Sequence, residues 1–164
     1  MKGKKVIAIS GYSNSGKTTL LKKVIPLLKA QGLAVGMIKH AHHDIDIDIP
    51  GKDSYELRRA GAVQTMVACN NRYAMICETE DKPVQLTALL DKFTDVDLIL
   101  VEGFKDEMLP KIICHRKAAL HPLYIDALTL AVASDDNLTV SVPVLDINQP
   151  DQIVQLIKKH LFDE

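Results

Sequence analysis

Gly11-Tyr12-Ser13-Asn14-Ser15-Gly16-Lys17-Thr18 constrains this chain more than any other stretch, because it satisfies every fixed position of the pattern G-x-x-x-x-G-K-[ST]. The apolar run Lys5 to Ser10 precedes it and reads as a strand buried on both faces. After it, Leu20, Leu21, Val24, Leu27 and Leu28 recur at helical spacing from Thr18 to Ala30. A strand that turns straight into a helix leaves the first N–H groups of that helix without backbone partners, and such a mouth attracts anions. Gly11 and Gly16 let the backbone wrap a β-phosphate where side chains would obstruct it. Lys17, the candidate catalytic residue, puts its ammonium between the β- and γ-phosphates, and the Thr18 hydroxyl reaches magnesium. Tyr12 belongs to the same loop, and Ser13, Asn14 and Ser15 offer mainly backbone donors. Thr19 is either an α-phosphate contact or an ordinary first-turn residue.

The remaining chain alternates strands and helices. Gln31-Gly32 stops the first helix, with a bend expected near Pro26, and Leu33 to Ile38 is a second buried strand reached by a right-handed crossover. Asp53-Ser54-Tyr55-Glu56 has capping-box spacing with Asp53 as the cap, Gly61 closes the helix, and Arg58 and Arg59 are available to anions. Ala62 to Ala68 and Tyr73 to Cys77 flank the turn-prone pair Asn70-Asn71, which predicts a hairpin. A helix after Pro83 buries Val84, Leu86, Leu89, Leu90 and Phe93. Strands follow at Leu98 to Val101, Lys111 to Cys114, Leu128 to Ala133 and Val142 to Leu145. The last helix, Gln152 to Leu161, is capped by Asp151. The pattern predicts one α/β domain over residues 1–164, a P-loop NTPase-like three-layer arrangement with a mostly parallel, mixed central sheet.

Magnesium in such a site needs an acid at the end of a neighbouring strand. Glu102 has that position, whereas Asp97 falls at the opposite end of its strand. Lys39-His40-Ala41-His42-His43-Asp44-Ile45-Asp46-Ile47-Asp48 follows the second strand, where ligands collect in open α/β sheets. It reads as a segment near the γ-phosphate or a partner surface, with a transition-metal site as the less favoured alternative. Twenty basic residues against 21 acidic ones provide no positive field for nucleic acid. No apolar run is long enough to span a membrane, and no signal-peptide pattern opens the sequence, so a cytoplasmic protein is expected. Cys69, Cys77 and Cys114 lack the spacing of a disulfide framework or zinc ribbon and read as reduced thiols in or beside strands.

Several blocks together resemble one family, the MobB adaptor proteins of molybdopterin-guanine dinucleotide biosynthesis. They are the Gly11–Thr18 loop, Lys39-His40-Ala41-His42-His43, Pro50 to Arg58, Ala60-Gly61-Ala62, Leu100 to Lys105 and Ala131 to Asp135. The resemblance implies GTP binding with magnesium, at most weak GTPase activity, and action beside the guanylyltransferase MobA as GMP is attached to molybdopterin. It also implies a homodimer, the phosphate loop at Gly11–Thr18 and the strand-end acid at Glu102. The chain carries no N-K-x-D motif, since Asn148-Gln149-Pro150-Asp151 has glutamine for lysine and reads as a turn and helix cap. Ser134, Asp135 and Asp136 follow a strand, and a carboxylate there, Asp135 first, accepts the N1 and N2 hydrogens of guanine. A small-molecule kinase is the alternative on the same loop, disfavoured because four arginines and no arginine-rich lid leave a transferred phosphoryl group poorly neutralised. A nucleotide-binding partner without turnover is the other alternative.

Overall fold

The computed structural model describes residues 4–41, 45–79, 82–104, 107–119 and 121–162. Its elements run β1 (Lys5–Ser10), α1 (Lys17–Ala30), β2 (Val35–Lys39), α2 (Asp53–Arg59), β3 (Gln64–Cys69), β4 (Arg72–Cys77), α3 (Leu86–Leu90), β5 (Leu98–Glu102), β6 (Lys111–His115), β7 (Thr129–Ser134), β8 (Val144–Asp146) and α4 (Pro150–Phe162). They form two compact units, Met1–His40 with Leu86–Glu164, and Ala41–Gln85.

The larger unit is built on a six-stranded sheet in the order β2-β5-β1-β6-β7-β8, and every pairing is parallel. Alternation along β1 explains how helices cover both faces. Ile7 and Ile9 join Leu98, Leu100, Ile112 and Cys114 in a core with Leu20, Leu21, Val24 and Leu28 of α1 and Ile153, Val154 and Ile157 of α4. Val6 and Ala8 point the other way, with Ile99, Val101 and Ile38, against Leu86 and Leu90 of α3 and Leu109. Three layers result, as predicted. Because all six strands run the same way, Ser10, Lys39, Glu102, His115, Ser134 and Asp146 end at one edge of the sheet. That edge is where β1 separates the β2-β5 side from the β6-β7-β8 side, and it is the place ligands occupy in such sheets.

Helix α1 stops where the sequence indicated. Gly32, at φ +84, donates to the Lys29 carbonyl while Leu33 N–H bonds back to Leu28, the paired bonds of a Schellman motif. Pro26 lies inside α1 and deprives the Lys22 carbonyl of its helical donor. Strand β8 begins at Val144 and not Val142, because Pro143 has no N–H for the ladder and contributes only its carbonyl, to Val132. Helix α3 is also shorter than expected. Leu86 and Leu90 are its buried pair and Leu89 and Phe93 pack beside them, but Val84 precedes the helix and is exposed. Asp151 lies in the first turn of α4, which starts at Pro150, so it complements the helix dipole from inside and is not the flanking cap.

In the smaller unit the predicted hairpin forms, with Ala68 opposite Tyr73 and Cys69 opposite Arg72. It is a two-stranded sheet of its own, so its antiparallel pairing lies outside the six-stranded sheet. Its residues are mostly exposed, which matches strands too short of inward-facing aliphatics to be central ones. The expected capping box is not made. Lys52 holds the extended cap position of α2 without a side-chain bond, and Asp53 and Glu56 both sit in the first turn. Gly61 and Ala62 close α2 by bonding to Arg58 and Leu57. Arg58 is not available to anions: its guanidinium is held at 2.7 Å by Glu78 and at 2.9 Å by Asp46. Two carboxylates accepting its hydrogens raise its pKa further.

Candidate functional site

The Gly11–Thr18 loop leaves the end of β1 and enters α1 through two backbone conformations that favour glycine. Gly11 has φ +141, and a Cβ there would stand 2.5 Å from the Cys114 carbonyl oxygen and 2.6 Å from Ser15 Oγ. Gly16 has φ +91, with a virtual Cβ 3.1 Å from Arg116 Nε and 3.2 Å from Ile147 Cδ1. The loop is therefore pressed against the end of β6 on one side and opens α1 on the other. Gly16 takes the cap position with no side-chain cap bond, and the first turn of α1 holds no acidic residue. Nothing negative competes for those N–H groups, so the partial positive charge of the helix mouth stays available.

Lys17 folds back over the loop, its Nζ donating to the Gly11 carbonyl at 3.0 Å and the Tyr12 carbonyl at 2.7 Å. Ser15 is 2% exposed and its Oγ has no hydrogen-bond partner among the described residues, an uncompensated buried hydroxyl inside the loop. Tyr12 stacks on His121 with ring centroids 4.4 Å apart.

Glu102 comes to this mouth by strand register. It pairs with Ile9 of β1 on one side and Lys39 of β2 on the other, and it is 9% exposed. The His40 N–H donates to its carbonyl at 2.7 Å, and the His40 ring stacks on Phe104. Ser13, Asn14, Gly16, Lys17, Thr18, Thr19, Lys39 and Glu102 line one concavity of about 420 Å³. A hydroxyl and a carboxylate facing it are hard oxygen donors, the chemistry magnesium prefers, and the open helix mouth with two cations beside it suits a polyphosphate. Asp97, the other strand acid, is structural: its carboxylate accepts the Ala34 N–H at 2.7 Å at the far end of β5.

An adjoining concavity of about 550 Å³ extends past Thr19 to Arg116, Ala118, Ala119 and His121. Arg116 follows β6 and donates to Asp135 Oδ2 at 3.0 Å and to Asn148 Oδ1 at 3.4 Å. Asp135 Oδ1 accepts the Lys117 N–H at 2.9 Å. That backbone bond, then the guanidinium, holds the Asp135 carboxyl below the usual range. Asn148 sits in the expected turn, its N–H donating to Asp146 Oδ1.

Lys39 opens the segment expected near the γ-phosphate, and it lines the concavity; Arg116 is the residue that motif reading passed over, with only its place after a strand to mark it. His42, His43 and Asp44 lie outside the described residues. Among those described, no group of three His, Cys, Asp or Glu is gathered to hold a metal, and no helix is long and apolar enough to cross a membrane. Cys114 lies buried beneath the loop with its thiol pushed up to about 12 by burial, whereas Cys69 and Cys77 are exposed on the hairpin.

Residues 6–135 match the family model described as molybdopterin guanine dinucleotide synthesis protein B. The chain is 48% identical to the molybdopterin-guanine dinucleotide biosynthesis adapter protein of Escherichia coli over 93% of its own length and 90% of the relative's. It is 46% identical to the Haemophilus influenzae protein of the same description, over 95% and 89%. The crystal structure of Bacillus subtilis MobB superposes with a TM-score of 0.78 at 28% identity, covering 98% of this chain and 99% of that one. A shared fold, a family match across the loop, Glu102 and Asp135, and near-full-length relatives lead to one assignment: the chain belongs to the molybdopterin guanine dinucleotide synthesis protein B family.

Proposed function

We propose that this protein is an adapter in molybdopterin-guanine dinucleotide biosynthesis that binds GTP with magnesium at the Gly11–Thr18 loop and acts beside a MobA-type guanylyltransferase. The observation that carries the nucleotide part is the uncapped mouth of α1 opening, with Lys17, Thr18 and Glu102, into one concavity. Backbone N–H groups take the β-phosphate, Lys17 leaves the Gly11 and Tyr12 carbonyls for the β- and γ-oxygens, and Thr18 with Glu102 holds the ion. Tyr12, Ser13, Asn14 and Ser15 form the rest of the cradle. The base extends past Thr19 towards Arg116 and Asp135. Magnesium, when bound, neutralises charge on the phosphate tail.

Turnover is slow in this reading. Rapid hydrolysis draws about 10³ to 10⁵ in rate from an arginine at the developing charge, and Arg116 is tied to Asp135 and Asn148 instead. Assembly as a homodimer is supported by the smaller unit, whose hairpin edges pair with no other strand among the described residues and whose Val63, Met66, Val67, Tyr73 and Met75 are all exposed.

Calorimetric titration with GTP and ATP tests the site. Lys17→Ala removes a charge-assisted contact of about 1.5–3 kcal/mol, so GTP affinity is expected to fall roughly 10- to 150-fold with the fold retained. Unchanged affinity would place the triphosphate elsewhere.

A further inference from the structure

The Gly11–Thr18 loop has a second side. Ile112 and Cys114 of β6 face α1, so Lys111 and Ile113 face the opposite side of the sheet, as does Ser10 at the end of β1. There a largely apolar cleft of about 140 Å³ is walled by Ser10, Gly11, Tyr12, Ile113 and the segment Pro122-Leu123-Tyr124, with Lys111 and Asp126 at its polar end. We propose that this cleft takes a pterin ring, and that it is a small-molecule site separate from the triphosphate mouth.

The polar end decides the ligand class. Lys111 Nζ donates to Asp126 Oδ2 at 2.8 Å, with the lysine side chain 11% exposed. An ammonium has three hydrogens, and this contact uses one. Asp126 Oδ1 is filled by the Leu128 N–H and the Thr129 hydroxyl, which leaves Oδ2 with a lone pair beside Lys111. The pair is neutral as a unit, which disfavours a bare anion or cation. It offers a donor and an acceptor side by side, matching a lactam edge: the ring carbonyl accepts from Lys111 and the adjacent ring N–H donates to Asp126.

The walls suit the faces of a flat ring, because Ile113, Pro122 and Leu123 contribute aliphatic surface, and Tyr12 and Tyr124 also line the cleft. A closed cavity of about 150 Å³ admits one benzene ring, so a cleft of similar volume encloses the lactam ring, and its open mouth leaves the second ring with its substituent outward. Guanine presents the same lactam edge. Pterin is chosen because the triphosphate tail lies on the α1 side, which directs its base towards Arg116; this choice rests on the reading under Proposed function.

Pterins fluoresce, and the chain has no tryptophan to interfere. Full-length protein is titrated against hydroxymethylpterin by fluorescence anisotropy, against its diamino analogue lacking the ring carbonyl, and against GTP with magnesium as competitor. Saturable 1:1 binding of the pterin is expected, at least tenfold tighter than the analogue and not displaced by equimolar GTP. Ile113→Phe, which fills the cleft, and Tyr124→Ala, which removes an exposed wall, should each weaken pterin at least fivefold while GTP affinity stays within twofold. Absence of saturable binding, equal affinity for the analogue, displacement by GTP, or insensitivity to both variants would overturn the proposal. Pterin binding in a protein that fails to bind GTP would support the cleft and remove the phosphate-loop reading alone.

Discussion

Replacing Gly11 with alanine should damage the loop far more than the same change at Gly32, and the difference follows from what each new methyl meets. Both residues have positive φ, +141 and +84, so both variants pay backbone strain. At Gly32 nothing lies within 4 Å of the added Cβ, and the expected cost is that strain alone, about 1–2 kcal/mol. At Gly11 the methyl would stand 2.5 Å from the Cys114 carbonyl oxygen. That carbonyl belongs to β6, where Cys114 is in register with Ala133 of β7, so it has little freedom to retreat. Overpacking of this kind adds about 1–3 kcal/mol to strain of about 1–3 kcal/mol. The gain from a stiffer unfolded chain is the same for both changes and cancels in the comparison. Gly11→Ala should therefore be less stable than Gly32→Ala by about 2 kcal/mol, which for this chain length separates the melting temperatures by roughly 4–8 °C. Urea and thermal melts measure the stability difference. A GTP titration should show Gly11→Ala at least tenfold weaker, because Ser15 Oγ, 2.6 Å from the same methyl, must also shift. Equal melts and equal GTP affinities for the two variants would refute the claim that the loop is held against β6.

Three further outcomes are expected. Glu102→Gln should reduce the gain in GTP affinity that magnesium brings, by about tenfold, while affinity measured in EDTA stays unchanged; calorimetry with and without the ion distinguishes the two. Asp126 has its pKa lowered from 3.8, first by the Lys111 bond; a depressed folded pKa means stabilisation present above the unfolded value and lost as pH falls through the folded one. Urea midpoints of the native protein should consequently drop more steeply below pH 4 than those of Asp126→Asn. At pH 8, iodoacetamide should modify Cys69 and Cys77 in the folded protein, Cys69 faster because the Asn71 backbone bond lowers its pKa, and Cys114 only after unfolding; mass spectrometry of the peptides gives the order.

The elements that could be read from the sequence were those governed by short-range rules. The strand-loop-helix at Gly11–Thr18, the Gly32 stop and the placement of Glu102 each follow from local pattern plus one topological rule. Prediction failed where a longer-range contact won. Arg58 carries the same charge as a free anion-binding arginine, and only the folding of Glu78 and Asp46 around it removes that role. Asp53 failed for a local reason instead: the helix starts one residue early, with the extended Lys52 in the cap position. Hairpin strands β3 and β4 have strand-forming composition, yet composition does not say which sheet a strand joins.

Arg116 shows most clearly how a polar cluster can form that no string in the sequence announces. A contiguous N-K-x-D string delivers an amide, a cationic stem and a carboxylate from one turn. Here an amide, a cation and a carboxylate are also brought together, but Asn148 follows β8, Arg116 follows β6 and Asp135 follows β7. Parallel strands end at one edge, so residues 19 and 32 positions apart along the chain meet there. No linear pattern can encode that meeting, because its spacing depends on the lengths of the connections and not on the chemistry. For the same reason the Gly11–Thr18 pattern is conspicuous in such a chain while a cluster spread over three strand ends is not, and under the proposed function a test of purine specificity belongs at that sheet edge, not in a string.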